Sequence, residues 1–224
     1  MLKGKRILIT AGPTKEFIDP VRFISNASSG KMGYAIAEEL SSKGADVILV
    51  SGPTNIKCNS TKIKVVQVTT ALEMLKACQH YFDSVDIAFF TAAVADYRPL
   101  IMESSKIKKN DETMTIQLTK NPDIAYEFGK VKRDDQMSVG FALETDNIVE
   151  YGKGKLQKKK FDFIVLNTTS ENGEGFGFDT NKISLLFNDN SMKHFSLKSK
   201  IEVAKDIVAE LENRIQNPLS LSKH

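Results

Sequence analysis

The chain has little of what marks several common classes of protein. No segment of its 224 residues is apolar and long enough for a transmembrane span or a secretory leader, so a soluble, cytoplasmic protein without membrane partners is expected. It holds 2 cysteines, Cys58 and Cys78, without metal-ligand spacing. Such sparse usage fits reduced thiols, not a disulfide framework. With 3 histidines, two of them towards the C-terminal end, the chain lacks the ligands of a zinc centre. Charge of one sign is also scarce. A net charge of +3 excludes the broad basic footprint that nucleic acid demands, so any anion chemistry must come from local clusters.

What the chain does have is apolar sequence in regular order. At 41% hydrophobic composition it can bury one large core, with no internal repeat. Arg6 to Thr10 reads as a buried strand stopped by Ala11-Gly12-Pro13. The helix expected after Gly30 carries Met32, Ile36 and Leu40 on one face and stops at Lys43-Gly44. Strands are expected at Val47 to Val50, Val65 to Val68 and Ile87 to Thr91. A helix opened by the capping box Thr70 to Glu73 carries Leu72, Leu75, Cys78 and Phe82. This β-α-β-β-α-β order predicts a Rossmann-like α/β fold, a three-layer sandwich with a mainly parallel sheet.

The second half is less regular. Residues 97–112 have no clean period and hold Lys106, Lys108 and Lys109, which reads as a basic flap, followed by an alternating strand Thr113 to Leu118. Asn121-Pro122-Asp123 reads as a helix start with Asn121 as cap. A strand at Ser138 to Leu143, a lysine-rich helix from about Asn147 to Lys160 and a strand at Phe163 to Leu166 follow. Lys182 to Phe187 and Met192 to Leu197 flank a turn and predict an antiparallel hairpin at a sheet edge. Ser199 to Glu202 caps a last helix with an apolar seam of Ile201, Ala204, Val208, Leu211 and Ile215. Residues 1–216 are thus expected to form a single domain, with 217–224 a frayed tail.

The chemistry concentrates in Ile24-Ser25-Asn26-Ala27-Ser28-Ser29-Gly30-Lys31-Met32-Gly33. Small residues let the backbone close on a phosphate, and the first N–H groups of the following helix are unpaired with the positive end of its dipole behind them. By itself this turn fits a dinucleotide, a nucleoside triphosphate or a phosphorylated metabolite. Ser138, Tyr151 and Lys155 also match the catalytic spacing of short-chain dehydrogenases, in which a lysine lowers the pKa of a proton-transferring tyrosine, so an NADP-dependent oxidoreductase is an alternative. In those enzymes, however, the glycine turn follows the first strand at once, whereas here the segment Pro13 to Ala27 intervenes. A non-catalytic nucleotide-binding regulator is the third possibility.

That inserted segment carries a resemblance. Thr10 to Asn26, running into Ser28-Ser29-Gly30-Lys31-Met32-Gly33, is similar to bacterial phosphopantothenoylcysteine synthetase. So are Ala92-Ala93-Val94-Ala95-Asp96-Tyr97-Arg98-Pro99, Lys106-Ile107-Lys108-Lys109, Asn121-Pro122-Asp123-Ile124 and Gly140-Phe141-Ala142-Leu143-Glu144-Thr145. The likeness spans nearly the whole chain, in order. It implies a phosphopantothenate–cysteine ligase of coenzyme A biosynthesis, with CTP activating the carboxylate of 4′-phosphopantothenate as an acyl-cytidylate before the amine of L-cysteine displaces CMP. Many bacteria fuse this unit behind a flavin-dependent phosphopantothenoylcysteine decarboxylase, a fused or separate partner. Leu2 to Lys5 resembles the start of the second domain.

The resemblance also implies residue roles. Lys106, on the flap, would support cytidylate formation near the α-phosphate. Asn26 would hold the acyl group in both steps, and Ser28, Ser29 and Gly30 the phosphate of 4′-phosphopantothenate. CTP would lie on Ala92, Asp96, Lys106, the helix start Pro122-Asp123-Ile124-Ala125, Phe141, Lys155 and Lys159. Joining an anion to a polyanion needs cations, so Mg²⁺ is expected, held mainly by substrate phosphates with Asp96 as a possible ligand. Relatives act as dimers with the flap of one subunit reaching the other, so a homodimer is expected.

Overall fold

Apolar strands buried on both faces require helices on both sides, and this is how the chain folds. The structure is a computed structural model that describes residues 1–108, 112–144, 148–168 and 179–217. In chain order, β1 (Arg6–Ala11) leads through a small hairpin, β2 (Lys15–Phe17) and β3 (Phe23–Ser25), to α1 (Lys31–Ser42). Next come β4 (Asp46–Ser51), β5 (Ile63–Gln67), α2 (Ala71–Phe82) and β6 (Ile87–Phe90). A second hairpin, β7 (Tyr97–Pro99) and β8 (Leu118–Lys120), precedes α3 (Ile124–Val131). Then follow β9 (Met137–Glu144), α4 (Ile148–Lys158) and β10 (Phe163–Thr168). The chain closes with β11 (Thr180–Asn181), β12 (Ile183–Phe187), β13 (Met192–His194), β14 (Lys198–Ser199) and α5 (Lys200–Gln216).

The main sheet has 8 strands in the order β13-β12-β10-β9-β6-β1-β4-β5. Neighbours from β10 to β5 are parallel, and β12 and β13 are antiparallel additions at one edge. This is the expected fold, hairpin included. Successive strand residues alternate between two cores. Ile7, Ile9, Leu49, Phe89, Val139 and Val165 pack under α1 and α5, whereas Leu8, Val50, Ala88, Ala142 and Ile164 pack under α2, α3 and α4. Each fully buried aliphatic side chain contributes roughly 1.5–3 kcal/mol, so the two-sided sheet outweighs any single cap or ion pair.

Local signals begin and end the helices. The capping boxes Thr70/Glu73 and Ser199/Glu202 open α2 and α5, and Gly44, at φ +86°, follows the end of α1. Several expectations need correction. Leu72 and Ile201 do not join the core. They are 46% and 66% exposed, and α2 buries Ala71 and Met74 in their place while α5 buries Val203 and Ile207. The rest of each expected seam faces the core: Cys78 and Phe82 of α2 and Ala204, Val208 and Leu211 of α5 are buried, with Leu75 and Ile215 packed beside them. The alternation at Thr113 to Leu118 forms no strand apart from Leu118, which begins β8. Asn121 does not cap α3. Asp123 does, accepting from the Tyr126 amide at 3.2 Å, because the Asn121 amide is drawn away to donate to the Ala95 carbonyl at 2.8 Å. Of the expected features, Lys109, residues 145 and 147, and the tail from 218 onward lie outside the described residues.

Burial pushes the Cys78 thiol up to about 12, while Cys58 is only half-buried. Iodoacetamide at pH 8 should therefore modify Cys78 only after urea unfolding, and mass spectrometry showing both thiols labelled at equal rates in native protein would contradict this packing.

Candidate active site

After β1 the chain crosses to α1 on one face, and after β6 it crosses to α3 on the other. Such a reversal opens a crevice beyond the carboxyl ends of these strands. A cleft of about 450 Å³ lies there, lined from Thr10, the turn before α1, the segment after β6, the start of α3, and residues of β9, α4 and β10.

One wall is the glycine turn. Gly30 precedes α1 with φ +79°, a conformation that favours glycine, and its amide meets the Ser28 hydroxyl at 3.2 Å. Among the described residues no side chain caps this helix end, so its first amides remain available to an anion. Gly33 sets how closely α1 approaches the sheet. A Cβ there would come within 2.5 Å of Thr91 Oγ1 and 2.6 Å of Ala11 Cβ.

The inserted segment is fastened to the strand ends that border the cleft. Its buried polar side chains are tied to backbone donors: Thr14 Oγ1 accepts from Ala95 at 3.1 Å and Glu16 from Ala71 at 2.9 Å. Asp19, which has no exposed surface, accepts from Val21 and Arg22 at 2.8 Å and from Ile107 at 3.2 Å. Burial alone would raise the Asp19 pKa. The three backbone bonds and the Arg22 charge oppose that effect and hold it below its ordinary 3.8. Asn26 leaves the hairpin and donates both Nδ2 hydrogens to the segment after β6, to Ala93 O at 3.2 Å and Val94 O at 3.1 Å.

The opposite wall carries Asp96, Pro122 to Ala125, Phe141, Lys155 and Lys159. Lys159 ion-pairs with Asp123 at 3.0 Å, so its charge is shared with the α3 cap. Phe141 is half-buried, both lining the cleft and packing beneath it. Among the described residues no group of three His, Cys, Asp or Glu side chains is placed to hold a metal ion.

Every expected site residue except Lys106 therefore converges on this cleft. Lys106 stands apart, in a shallow pocket with Val21, Arg22, Ile107 and Lys108, where the Arg22 guanidinium donates to the Ile107 carbonyl at 3.0 Å. The dehydrogenase set does not assemble. Ser138 is buried at the opposite, amino end of its strand, bonded to Asp162 and Lys160, and Tyr151 is 56% exposed. Sequence reading also missed cleft residues. Phe161 enters because Gly140 leaves its ring room, a Cβ there falling 2.1 Å from Cε2. Lys31, Asn167, Asn181 and Lys200 line one corner. Apart from Lys31, which adjoins the glycine turn, these had no local signal, since only strand pairing brings them in.

Residues 2–215 match the model of the DNA/pantothenate metabolism flavoprotein C-terminal domain. A protein from an unknown prokaryotic organism, named cysteine/cysteine sulfinic acid decarboxylase, is 47% identical over 94% of this chain and 58% of its own length. The coenzyme A biosynthesis bifunctional protein CoaBC of Bacillus subtilis is 43% identical over 94% of this chain and 52% of its own length. The chain thus spans little more than half of each of these relatives. The crystal structure of the C-terminal domain of a CoaBC protein superposes with a TM-score of 0.81 at 41% identity, covering 96% of this chain and 98% of that one.

Two outcomes test this geometry. Gly33→Ala should push α1 off the sheet, costing about 1–3 kcal/mol in urea unfolding and weakening anion binding at the turn; an unchanged midpoint would refute the close approach. Asp19 has a folded pKa below its unfolded value, so the stability it contributes is complete above the unfolded pKa and lost as pH falls through the folded one. Asp19→Asn should accordingly flatten the acid side of the melting temperature against pH; an unaltered slope below pH 5 would show that this carboxylate is not linked to folding.

Proposed function

Because the chain belongs to the family of the DNA/pantothenate metabolism flavoprotein C-terminal domain, we propose that it is the ligase that joins 4′-phosphopantothenate to L-cysteine at the expense of CTP. The observation that carries this reading is the convergence, on one cleft, of residues from separate chain segments that a two-anion condensation needs. The CoaBC relatives and the resemblance of its motifs point the same way. The decarboxylase name of one relative is a whole-protein name, and the chain spans 58% of that protein. A flavin-dependent decarboxylase, fused or separate, is the partner that this reading supplies with product.

In the first step a carboxylate oxygen of phosphopantothenate attacks the α-phosphorus of CTP, and the bond to the pyrophosphate leaving group breaks. The α3 amino end, Lys155 and Lys159 line the CTP side, with Phe141 and Phe161 beneath the base and Ala92 and Asp96 along the strand end. In the second step the cysteine amine attacks the acyl carbon, CMP departs, and the amine loses its proton. No covalent enzyme intermediate is required. Ser28, Ser29 and Gly30 with the α1 amides take the substrate phosphate, and Asn26 marks the boundary between the two substrates. Both Asn26 Nδ2 hydrogens are held by backbone carbonyls, so donation to the acyl oxygen exchanges one of those bonds. Mg²⁺ bound to the triphosphate would supply charge neutralisation, with Asp96, on the cleft wall, as its candidate protein ligand. Lys106 acts from the flap, and its place outside the cleft fits delivery to the neighbouring subunit of a homodimer.

The test is turnover with phosphopantothenate, cysteine, Mg²⁺ and each nucleotide, following CMP and pyrophosphate. Turnover with CTP is expected; none with any nucleotide, or NADPH binding in place of CTP, would overturn the reading. ATP replacing CTP would overturn the base assignment alone. Asn26→Asp should still release pyrophosphate while forming amide about 100-fold more slowly, the cost of losing one aligned donor. Loss of pyrophosphate release in a variant that melts normally would remove Asn26 from the second step.

A further inference from the structure

Two cleft side chains flank one strained residue. Lys159 and Phe161 stand on either side of Lys160, whose φ of +52° lies in the left-handed region that favours glycine. Among the described residues other than glycine, only Asn190 shares that sign of φ. Lys160 occupies the place that glycine commonly takes after a helix. The Phe161 amide donates to Leu156 O at 3.0 Å and the Lys160 amide to Gln157 O at 3.2 Å, the paired bonds that close α4. The turn is also held from outside the helix. The Lys160 carbonyl accepts from Lys132 Nζ at 2.9 Å and from Ser138 Oγ at 3.1 Å. Lys132, the residue that ends α3, pairs with Asp162 at 2.7 Å and meets Ser138 Oγ at 3.3 Å. Asp162 in turn accepts from the Ser138 amide at 2.6 Å. The pair is buried, its side chains 13% and 11% exposed. Ser138, which forms no dehydrogenase site, thus has its place in this junction.

We propose that Lys132 and Asp162 are positioning residues for the nucleotide, an assignment that rests on the ligase reading. Neither lines the cleft. Replacing a buried ion pair by packed apolar side chains is often neutral for stability, so the worth of this pair lies in the geometry it imposes. The Lys132 ammonium has three hydrogens and meets three acceptors, Asp162 Oδ2, Ser138 Oγ and the Lys160 carbonyl, which fixes the turn against β9 and the end of α3. At the same turn the Lys159 carbonyl lies against Gly129 of α3, where a Cβ would come within 2.4 Å of it. From there the Lys159 side chain reaches Asp123, the cap at the other end of α3, with its ammonium 3.0 Å from the carboxylate. Phe161 lays its ring over Gly140, 5.9 Å from the ring of Phe90. By keeping Lys160 in its left-handed conformation, the pair aims Lys159 at the triphosphate and holds Phe161 beneath the base. Without Lys132 the Lys160 carbonyl keeps one donor, and the backbone relaxes to an ordinary φ that turns both neighbours out of place together.

The experiment measures steady-state constants for each substrate with the full chain. Lys132→Met should raise the KM for CTP about tenfold while those for phosphopantothenate and cysteine stay within about twofold. Glycine adopts the left-handed turn without strain, so adding Lys160→Gly to Lys132→Met should return most of the lost CTP affinity, although it restores no contact of Lys132. Lys132→Met leaves the Asp162 carboxylate buried without its cation and should lower the melting temperature. Combining it with Asp162→Asn removes that charge. This double variant should melt close to the unmodified protein and still show the raised KM for CTP, and it serves if Lys132→Met does not fold. A normal KM for CTP in the double variant, an equal rise for all three substrates, or no recovery with Lys160→Gly would overturn the assignment. If the unmodified protein turns over no substrate, the ligase reading fails; calorimetric titration of CTP against the same variants then decides the pair by itself, equal affinity throughout, or no CTP bound by the unmodified chain, refuting it.

Discussion

The hydrogen bonds between β1 and β6 do not stop where the sheet stops, and the site depends on that continuation. Beyond the paired strands, the Thr91 amide donates to Thr10 O at 3.2 Å, Ala93 to Gly12 O at 2.9 Å and Ala95 to Thr14 Oγ1 at 3.1 Å. At a switch point two neighbouring chains ordinarily part at once, leaving an open crevice. Here they run on together, and Asn26 fastens the returning hairpin onto the same ladder through Ala93 and Val94. The ladder thus gives the cleft a rigid floor, with α1 on one side and α3 on the other.

Charge is divided across this floor. On the α3/α4 side the cations Lys155 and Lys159 face a helix start capped by Asp123. On the α1/α5 side Lys31 and Lys200 stand at two helix starts with Asp179 between them. Asn26, uncharged, sits between the two sets. Buried polar residues of the insert, Thr14, Glu16 and Asp19, play no chemical part in this division. They answer backbone donors, so that a long loop packs as if it were core.

Much of this was legible beforehand because strand burial and helix capping are written locally. The strand at Arg6 to Thr10, the boxes at Thr70 and Ser199 and the glycine at 44 each declare themselves within a few residues. The failures share a cause. Leu72 and Ile201 are apolar and near the right period, yet only the direction from which the sheet approaches decides which helix face is buried. Asn121 has the chemistry of a cap, but the Ala95 carbonyl competes for it from a segment that sequence spacing does not bring near. Ser138, Tyr151 and Lys155 have an enzymatic spacing along the chain and no common place in space.

Composition, periodicity and motif order by themselves determined a mainly parallel α/β sheet with an antiparallel hairpin at its edge, and a glycine turn at Ser28 to Gly30 that opens onto a helix. They did so because each of these is a property of a short segment. Only the tertiary structure decided that Lys106 stands outside the cleft and that Phe161, Asn181 and Lys200 stand within it. The reason is that strand order, the room left by Gly140 and the meeting of two helix starts are relations between segments far apart in the chain.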